Sequence, residues 1–96
     1  MHGLITSDRH KEIIRAIAPI NTIFPYKMDQ DEMIMWAKDI DDLAPDTEPE
    51  KLMFLVKCFK TDEIVWDSKL GIQNVLRGLK RIVKTEAGYQ VLRPIW

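Results

Sequence analysis

Carboxylates are the side chains of this sequence whose spacing comes nearest to a metal site. Counting from Asp39, Asp41 falls at the third position and Glu50 at the twelfth, which are ligand positions in an EF-hand calcium loop. Leu43 takes the fifth position, where a ligand is needed, and Ala44 stands where the tight turn needs glycine. We therefore interpret these carboxylates as a solvated acidic face and expect no metal site.

Nucleophiles, histidines and glycines also lack the arrangements that catalysis requires. The single cysteine, Cys58, lies in an apolar segment, which predicts a buried and unreactive thiol. The two histidines, His2 and His10, lack the partners for a zinc site or for a nucleophile–base pair. The four glycines are dispersed, so they form no phosphate-binding loop. We predict that the chain is not an enzyme and binds no cofactor.

A row of polar residues on the last predicted helix gives the strongest indication of binding. A spacing of three or four residues places four of its members on one side of a helix: Asn74, Arg77, Arg81 and Lys84. We predict a partner-binding basic face made of Asn74, Arg77, Lys80, Arg81 and Lys84. Such side chains suit base edges and phosphates, so DNA is one candidate partner. An acidic protein surface is the other, because a formal net charge of −1 is low for a nucleic-acid binder.

The acidic residues are concentrated in a different part of the chain from the basic ones. Residues 29–50 contain nine acids and one base, whereas residues 69–96 contain six bases and one acid. Charge separated in this way creates two surfaces that steer and orient partners. We predict a second partner-binding surface on the acidic outer face of the second helix, at Asp39 and Asp42.

Prolines and capping residues mark the first two helices. Ser7 is a good N-cap for a helix that Pro19 kinks or ends, and residues 20–24 form a further short turn. The second helix spans about Asp29–Leu43, and hydrophobic periodicity places Trp36 and Leu43 in its buried stripe.

Two further helices and a connector are predicted in the second half of the chain. Thr47 caps a helix whose apolar run, residues 52–59, is central to the bundle, although a buried strand is the rival interpretation of so short a run. Residues 63–67 form an extended connector that inserts Trp66 into the core. Asp67 or Ser68 caps the last helix, which spans residues 70–84, and residues 89–92 alternate like a strand.

Length and composition fit one small domain. The 96 residues are 46 % hydrophobic and 30 % charged, as in ordinary globular proteins, and no apolar run is long enough to span a membrane. A single cysteine allows no internal disulfide, so a cytoplasmic, reducing compartment is expected. We predict one mainly α domain over residues 1–96. It is a small helical bundle of four or five helices with a short extended C-terminal segment.

The layout of the middle of the chain resembles the helical N-terminal domain of phage helicase loaders. Its residue pattern begins with Phe24-Pro25 before an acidic helix start, followed by Glu32 four residues ahead of Trp36, and then Leu43. An amphipathic helix, a short connector and another helix follow, and the resemblance ends at Ile82. Members of that family deliver and transiently inhibit the replicative helicase at the phage origin. The resemblance therefore implies a helical fold, a helicase as partner and no catalytic residues.

We predict a small, non-enzymatic, cytoplasmic adaptor or inhibitor that binds a larger protein. The resemblance implies a phage origin and a partner in DNA replication, such as a helicase or another nucleic-acid-processing enzyme. The alternative is a winged-helix-like DNA-binding domain that uses the basic face of the 70–84 helix, with residues 89–92 as the wing. We expect no long C-terminal tail beyond Trp96, whose indole docks either on the core or on a partner.

Overall fold

A computed structural model describes residues 7–24 and 27–92 and confirms the mainly α class. The helices are α1 (Asp8–Ile17), α2 (Ile20–Ile23), α3 (Gln30–Leu43), α4 (Pro49–Lys60) and α5 (Ile72–Lys80), followed by the strands β1 (Ile82–Thr85) and β2 (Gly88–Val91). The two strands form an antiparallel hairpin in which Ile82 pairs with Val91 and Thr85 with Gly88. Within the described residues, no helix is long and apolar enough to cross a membrane.

The core lies where α1 packs against both α3 and α4, with α5 closing the other side of α4. Ile13 and Ile17 of α1 are fully buried, as are Ile40 of α3 and Leu52 of α4. Each such side chain contributes about 1.5–3 kcal/mol when it leaves water. The apolar run of residues 52–59 is a helix, as its flanking signals predicted, and it contributes buried residues toward both α1 and α5.

An aromatic cluster fixes the connector between α4 and α5. The Trp66 ring stacks on Phe24 with ring centroids 4.8 Å apart and meets Phe59 edge to face at 5.1 Å. The Trp36 ring also stacks on Trp66, with ring centroids 6.2 Å apart. Ile64, in the same connector, is buried. The prediction that this connector inserts apolar side chains into the core is confirmed.

The predicted N-cap of α1 is present in the structure, whereas the predicted N-cap of α4 is not. The Ser7 hydroxyl accepts a hydrogen bond from the His10 backbone N–H, 3.1 Å away, so the first cap is confirmed. Thr47 does not cap α4; Glu48 occupies the N-cap position, with Pro49 as the first helical residue. Thr47 is instead buried, and its carbonyl oxygen accepts a hydrogen bond from Arg9.

The last helix is shorter than predicted. It begins at Ile72, after a turn over residues 67–71, and ends at Lys80 instead of residue 84. Residues 82–85 form β1 because their β-branched side chains suit a strand as well as they suit a helical stripe. The chain turns at residues 86–87, and Gly88, with φ of 125°, begins the strand that pairs with residues 82–85. The predicted strand near residue 90 is present, and its partner was missed.

Leu43 is not a core residue. It is 63 % exposed, whereas Ile34, Ala37 and Ile40 form the buried line of α3. Four residues beyond Ile40, the next position on that line is Ala44, which packs against the core. Leu43 precedes it by one residue and is therefore rotated by about 100° toward solvent.

Candidate functional site

Three of the five residues predicted for the basic face are exposed at the end of α5. Arg77 and Lys80 lie on its outer side, and Arg81 is its C-cap residue. Gln73 shares this face, four residues before Arg77. Within the described part of the chain, none of the three basic side chains forms an ion pair with a carboxylate. Their charges therefore remain available to a partner.

Asn74 does not belong to this face, and its placement there was wrong. Its side chain is buried and holds the turn that leads into α5. The amide Nδ2 donates to the carbonyl oxygens of Asp67 at 2.7 Å and Gly71 at 3.0 Å, while Oδ1 accepts from the Asp67 N–H at 2.8 Å. A side chain whose donors and acceptor are used in this way positions backbone and does not read a ligand.

Lys84 has left the helical row because it lies on β1. Its ammonium donates to Glu48 Oε1 at 3.2 Å, and the Tyr89 hydroxyl donates to the other oxygen of the same carboxylate. These contacts, with the Tyr89 hydrogen bond as the larger cause, lower the pKa of Glu48. In return, the carboxylate raises the pKa of Tyr89 to about 12. Lys84 thus attaches the hairpin to the start of α4.

Arg77 and Lys80 border a groove, here called the α5 groove, between α5 and the α3–α4 junction. Its volume is about 480 Å³. Leu43 and Leu76 give it an apolar surface, and Lys51, Arg77 and Lys80 place three cations around them. Lys51 was not predicted as part of this surface, because it belongs to a different helix from the other two cations.

The acidic residues Asp39 and Asp42 lie exposed on the outer face of α3. Met35, on the same side of the helix, is 60 % exposed. Leu43 follows Asp39 by one helical turn, so it lies between this acidic face and the cations of the α5 groove. Surfaces of opposite charge therefore meet at one exposed leucine.

Asp41 is turned away from that face and ties α3 to α1. Its two carboxylate oxygens accept hydrogen bonds from Arg9 Nε and from the His10 ring, the latter at 3.0 Å. The Arg9 hydrogen bond is the main cause that lowers the pKa of Asp41. Arg9 also donates to the carbonyl oxygen of Pro45 at 2.9 Å. Asp41 is thereby a structural residue, and its oxygens are occupied.

The described residues contain no cluster suited to a metal ion, and their single cysteine is buried. Across residues 7–24 and 27–92, no group of three or more His, Cys, Asp or Glu side chains is placed to hold a metal ion. Cys58 is buried, as predicted, and its burial raises the pKa of the thiol. His2 and Trp96 lie outside the described residues.

A second groove, here called the α1–α4 groove, was not predicted. It has a volume of about 820 Å³ and lies between α4 and the α1–α2 segment. Arg15 lines one wall, and Met53, Lys57 and Lys60 line the other. The sequence contains a signal for the second wall, because these three residues recur at helical spacing on one face of α4.

Comparisons of the chain with models of protein families, with curated proteins and with solved structures found no match. The resemblance of its helix layout to phage helicase loaders therefore stays a prediction. The two grooves and the acidic face are the features from which function is inferred.

Proposed function

We propose that this chain is a small, non-enzymatic adaptor or inhibitor that binds a larger protein through the α5 groove. The observation that supports this proposal most strongly is the exposure of Leu43 beside Lys51, Arg77 and Lys80. An apolar anchor surrounded by charges is typical of a protein interface, in which a few buried side chains supply affinity and the charged rim supplies orientation.

The energetics of this surface favour a protein partner. Complete burial of an exposed leucine side chain contributes about 1.5–3 kcal/mol, an amount that a phosphate backbone does not provide because it offers no apolar surface to cover it. The acidic face at Asp39 and Asp42 lies next to the same leucine, and it would repel nucleic acid. A protein with an apolar pocket between a basic and an acidic region would satisfy both sides.

The partner we propose is a DNA-replication or other nucleic-acid-processing protein, such as a replicative helicase. This part of the proposal is supported by the resemblance of the Phe24–Ile82 layout to phage helicase loaders. The observed order of helices, with an aromatic connector before α5, is compatible with that layout. The same resemblance supports a phage origin.

Affinity capture from a lysate of the source cells, followed by mass spectrometry, tests this proposal. The informative variant is Arg77→Glu/Lys80→Glu, and Lys27→Glu/Lys69→Glu is its matched control, with the same charge change at exposed lysines that line neither groove. We expect the first variant to lose a nucleic-acid-processing protein that both the wild type and the control recover. Equal recovery by all three proteins would contradict the proposal.

A DNA-binding function is the second candidate, because a helix with an exposed basic side is followed directly by a hairpin. Arg77, Lys80 and Arg81 occupy that side, and β1–β2 stands in the position of a wing. Duplex DNA binding measured over a salt series separates the two functions. A steep salt dependence that Arg77→Glu/Arg81→Glu abolishes would favour DNA binding, whereas the adaptor proposal predicts no measurable binding at low salt.

A further inference from the structure

Apolar residues of α1 and α4 form the floor of the α1–α4 groove, and one of them is largely exposed. Ala16 of α1 and Val56 of α4 are buried at its base. Met53 projects from α4 beside them and remains 57 % exposed. Met side chains are flexible and adapt to the shape of a bound surface. Met53 therefore gives this floor an exposed apolar side chain that a partner can cover.

The walls of this groove are basic on both sides. Arg15 lies on the α1 wall, and Lys57 and Lys60 lie one helical turn apart on the α4 wall. Among the described residues, no Asp or Glu lines the groove and none of these three cations forms an ion pair. Arg15 lies in the last turn of α1, and Lys57 and Lys60 lie in the last turn of α4, so all three cations also suit the C-terminal ends of their helix dipoles.

We propose that the α1–α4 groove binds an acidic amphipathic helix of a partner protein. Met53, Lys57 and Lys60 extend over about two helical turns, roughly 10 Å, which matches two to three apolar anchors of an incoming helix. An apolar stripe on that helix packs on the floor between the two walls. Glu and Asp residues flanking the stripe then meet Arg15 on one side and the two lysines on the other.

Charge and shape together distinguish this occupant from others. Nucleic acid would satisfy the cations and leave the apolar floor uncovered. A small lipid-like acid needs a cavity that encloses most of its surface, whereas this groove is open to solvent along one side. The groove shares no lining residue with the α5 groove, so this proposal and the proposed function fail independently.

Titration of the ¹⁵N-labelled full chain with a designed peptide tests the proposal. The probe is a helical peptide of roughly 16 residues with Leu at i, i+3 and i+7 and Glu on both flanks, and its control carries Lys in place of every Glu. We expect the acidic peptide to shift the amide signals of residues near Met53 and Ala16. The basic peptide should leave these signals unchanged.

Two variants with the same charge change complete the test. Lys57→Glu/Lys60→Glu should weaken binding of the acidic peptide by at least about tenfold, which corresponds to about 1.4 kcal/mol, while Arg77→Glu/Lys80→Glu should change it less than about twofold. Because all four side chains are exposed, circular dichroism should show that both variants are folded.

Four results would overturn the proposal. The first two are equal binding of the acidic and basic peptides, and a greater loss of acidic-peptide binding in Arg77→Glu/Lys80→Glu than in Lys57→Glu/Lys60→Glu. The third is that sodium laurate, a lipid-like acid, shifts the same amide signals at a lower concentration than the peptide does. The fourth is that the acidic peptide shifts no amide signal. Sedimentation velocity adds a fifth: concentration-dependent dimers that Lys57→Glu/Lys60→Glu abolishes would assign the groove to a second copy of this chain.

Discussion

Asn74 shows how one buried side chain organises the approach to α5. Its three hydrogen bonds hold the backbone of Asp67 and the carbonyl of Gly71, which begin and end the turn before the helix. Gly71 itself has φ of 54°, so this turn depends both on a left-handed residue and on the amide that ties its ends together.

Removing this amide should destabilise the chain. In Asn74→Ala, the Asp67 N–H loses its side-chain acceptor at a partly buried site, and the carbonyls of Asp67 and Gly71 each lose one of two donors. We expect the free energy of unfolding to fall by about 1–2 kcal/mol. Urea denaturation followed by circular dichroism measures this change. Gln73→Ala is the control, because Gln73 is exposed and should change stability by less than about 0.5 kcal/mol. Equal effects of both substitutions would contradict the role given to Asn74.

At this scale the sequence predicted burial well and the roles of polar residues poorly. The burial of Cys58 and the packing of Trp66 against the core were predicted correctly, because removing a large apolar side chain from water is favourable. Asn74 was misplaced because its spacing puts it on a polar helix side, and only the path of the preceding turn brings backbone groups to it. Leu43 was misplaced because a shift of one residue in the buried line of α3 reverses its exposure.

The contact between α4 and α5 depends on a glycine. Gly78 is buried, and a Cβ atom at this position would overlap Leu55 Cδ1 of α4. Leu55 is itself buried in the core and has little room to move. The helices therefore approach each other at a position where only glycine fits.

We expect Gly78→Ala to lower the free energy of unfolding by about 1 kcal/mol. Overpacking costs about 1–3 kcal/mol and exceeds the gain of about 1 kcal/mol in helix propensity. The matched experiment introduces Gly78→Ala into a Leu55→Ala background, where the overlapping methyl groups are absent. There the substitution should be neutral or stabilising. Destabilisation by the same amount in both backgrounds would show that the overlap with Leu55 is not the cause.

The hairpin is attached to α4 through Glu48, and this attachment depends on pH. Tyr89 and Lys84 hold the pKa of Glu48 below its ordinary value of 4.5. A carboxylate with a lowered pKa in the folded state stabilises that state above its unfolded pKa, and this contribution is lost as the pH falls. The pKa of Asp41 is likewise lowered from its ordinary value of 3.8, so Asp41 also stabilises the folded state at neutral pH and loses this contribution as the pH falls.

We therefore expect the chain to lose stability on acidification from about pH 6 to about pH 3, and Glu48→Gln to lose less over the same interval. The urea midpoint at each pH measures the difference. Asp39→Asn, at an exposed carboxylate of α3, is the control and should follow the wild type. A Glu48→Gln profile that parallels the wild type would show that Glu48 does not carry this dependence.

Helices were more predictable than their boundaries. α1, α3 and α4 have strong periodicity and caps or prolines near their ends, so their extents agree with the sequence to within a few residues. The end of α5 was wrong because Ile82 and Val83 continue the helical stripe and also suit a strand. Pairing with residues 88–91 decides between the two structures, and such pairing is not visible in a local window.

For the whole molecule, the fold decides which charged residues become neighbours on the surface, and their order along the chain does so only in part. The segments 29–50 and 69–96 indicated an acidic and a basic region, and exposed members of each meet at Leu43. The α1–α4 groove draws its three cations from outside both segments, so charge counts along the chain did not indicate it. A groove built from distant helices becomes visible only when those helices are packed.

The most direct test of the central claim, that the chain binds a protein at the α5 groove, is site-specific photo-crosslinking. One protein carries the photoreactive residue in place of Leu43, and a control carries it in place of Val65, which is 76 % exposed in the connector and does not line the groove. In a lysate of the source cells, we expect one nucleic-acid-processing protein to be cross-linked from position 43 and not from position 65, and to be lost with Arg77→Glu/Lys80→Glu. The same products from both positions, or none from position 43, would contradict the claim.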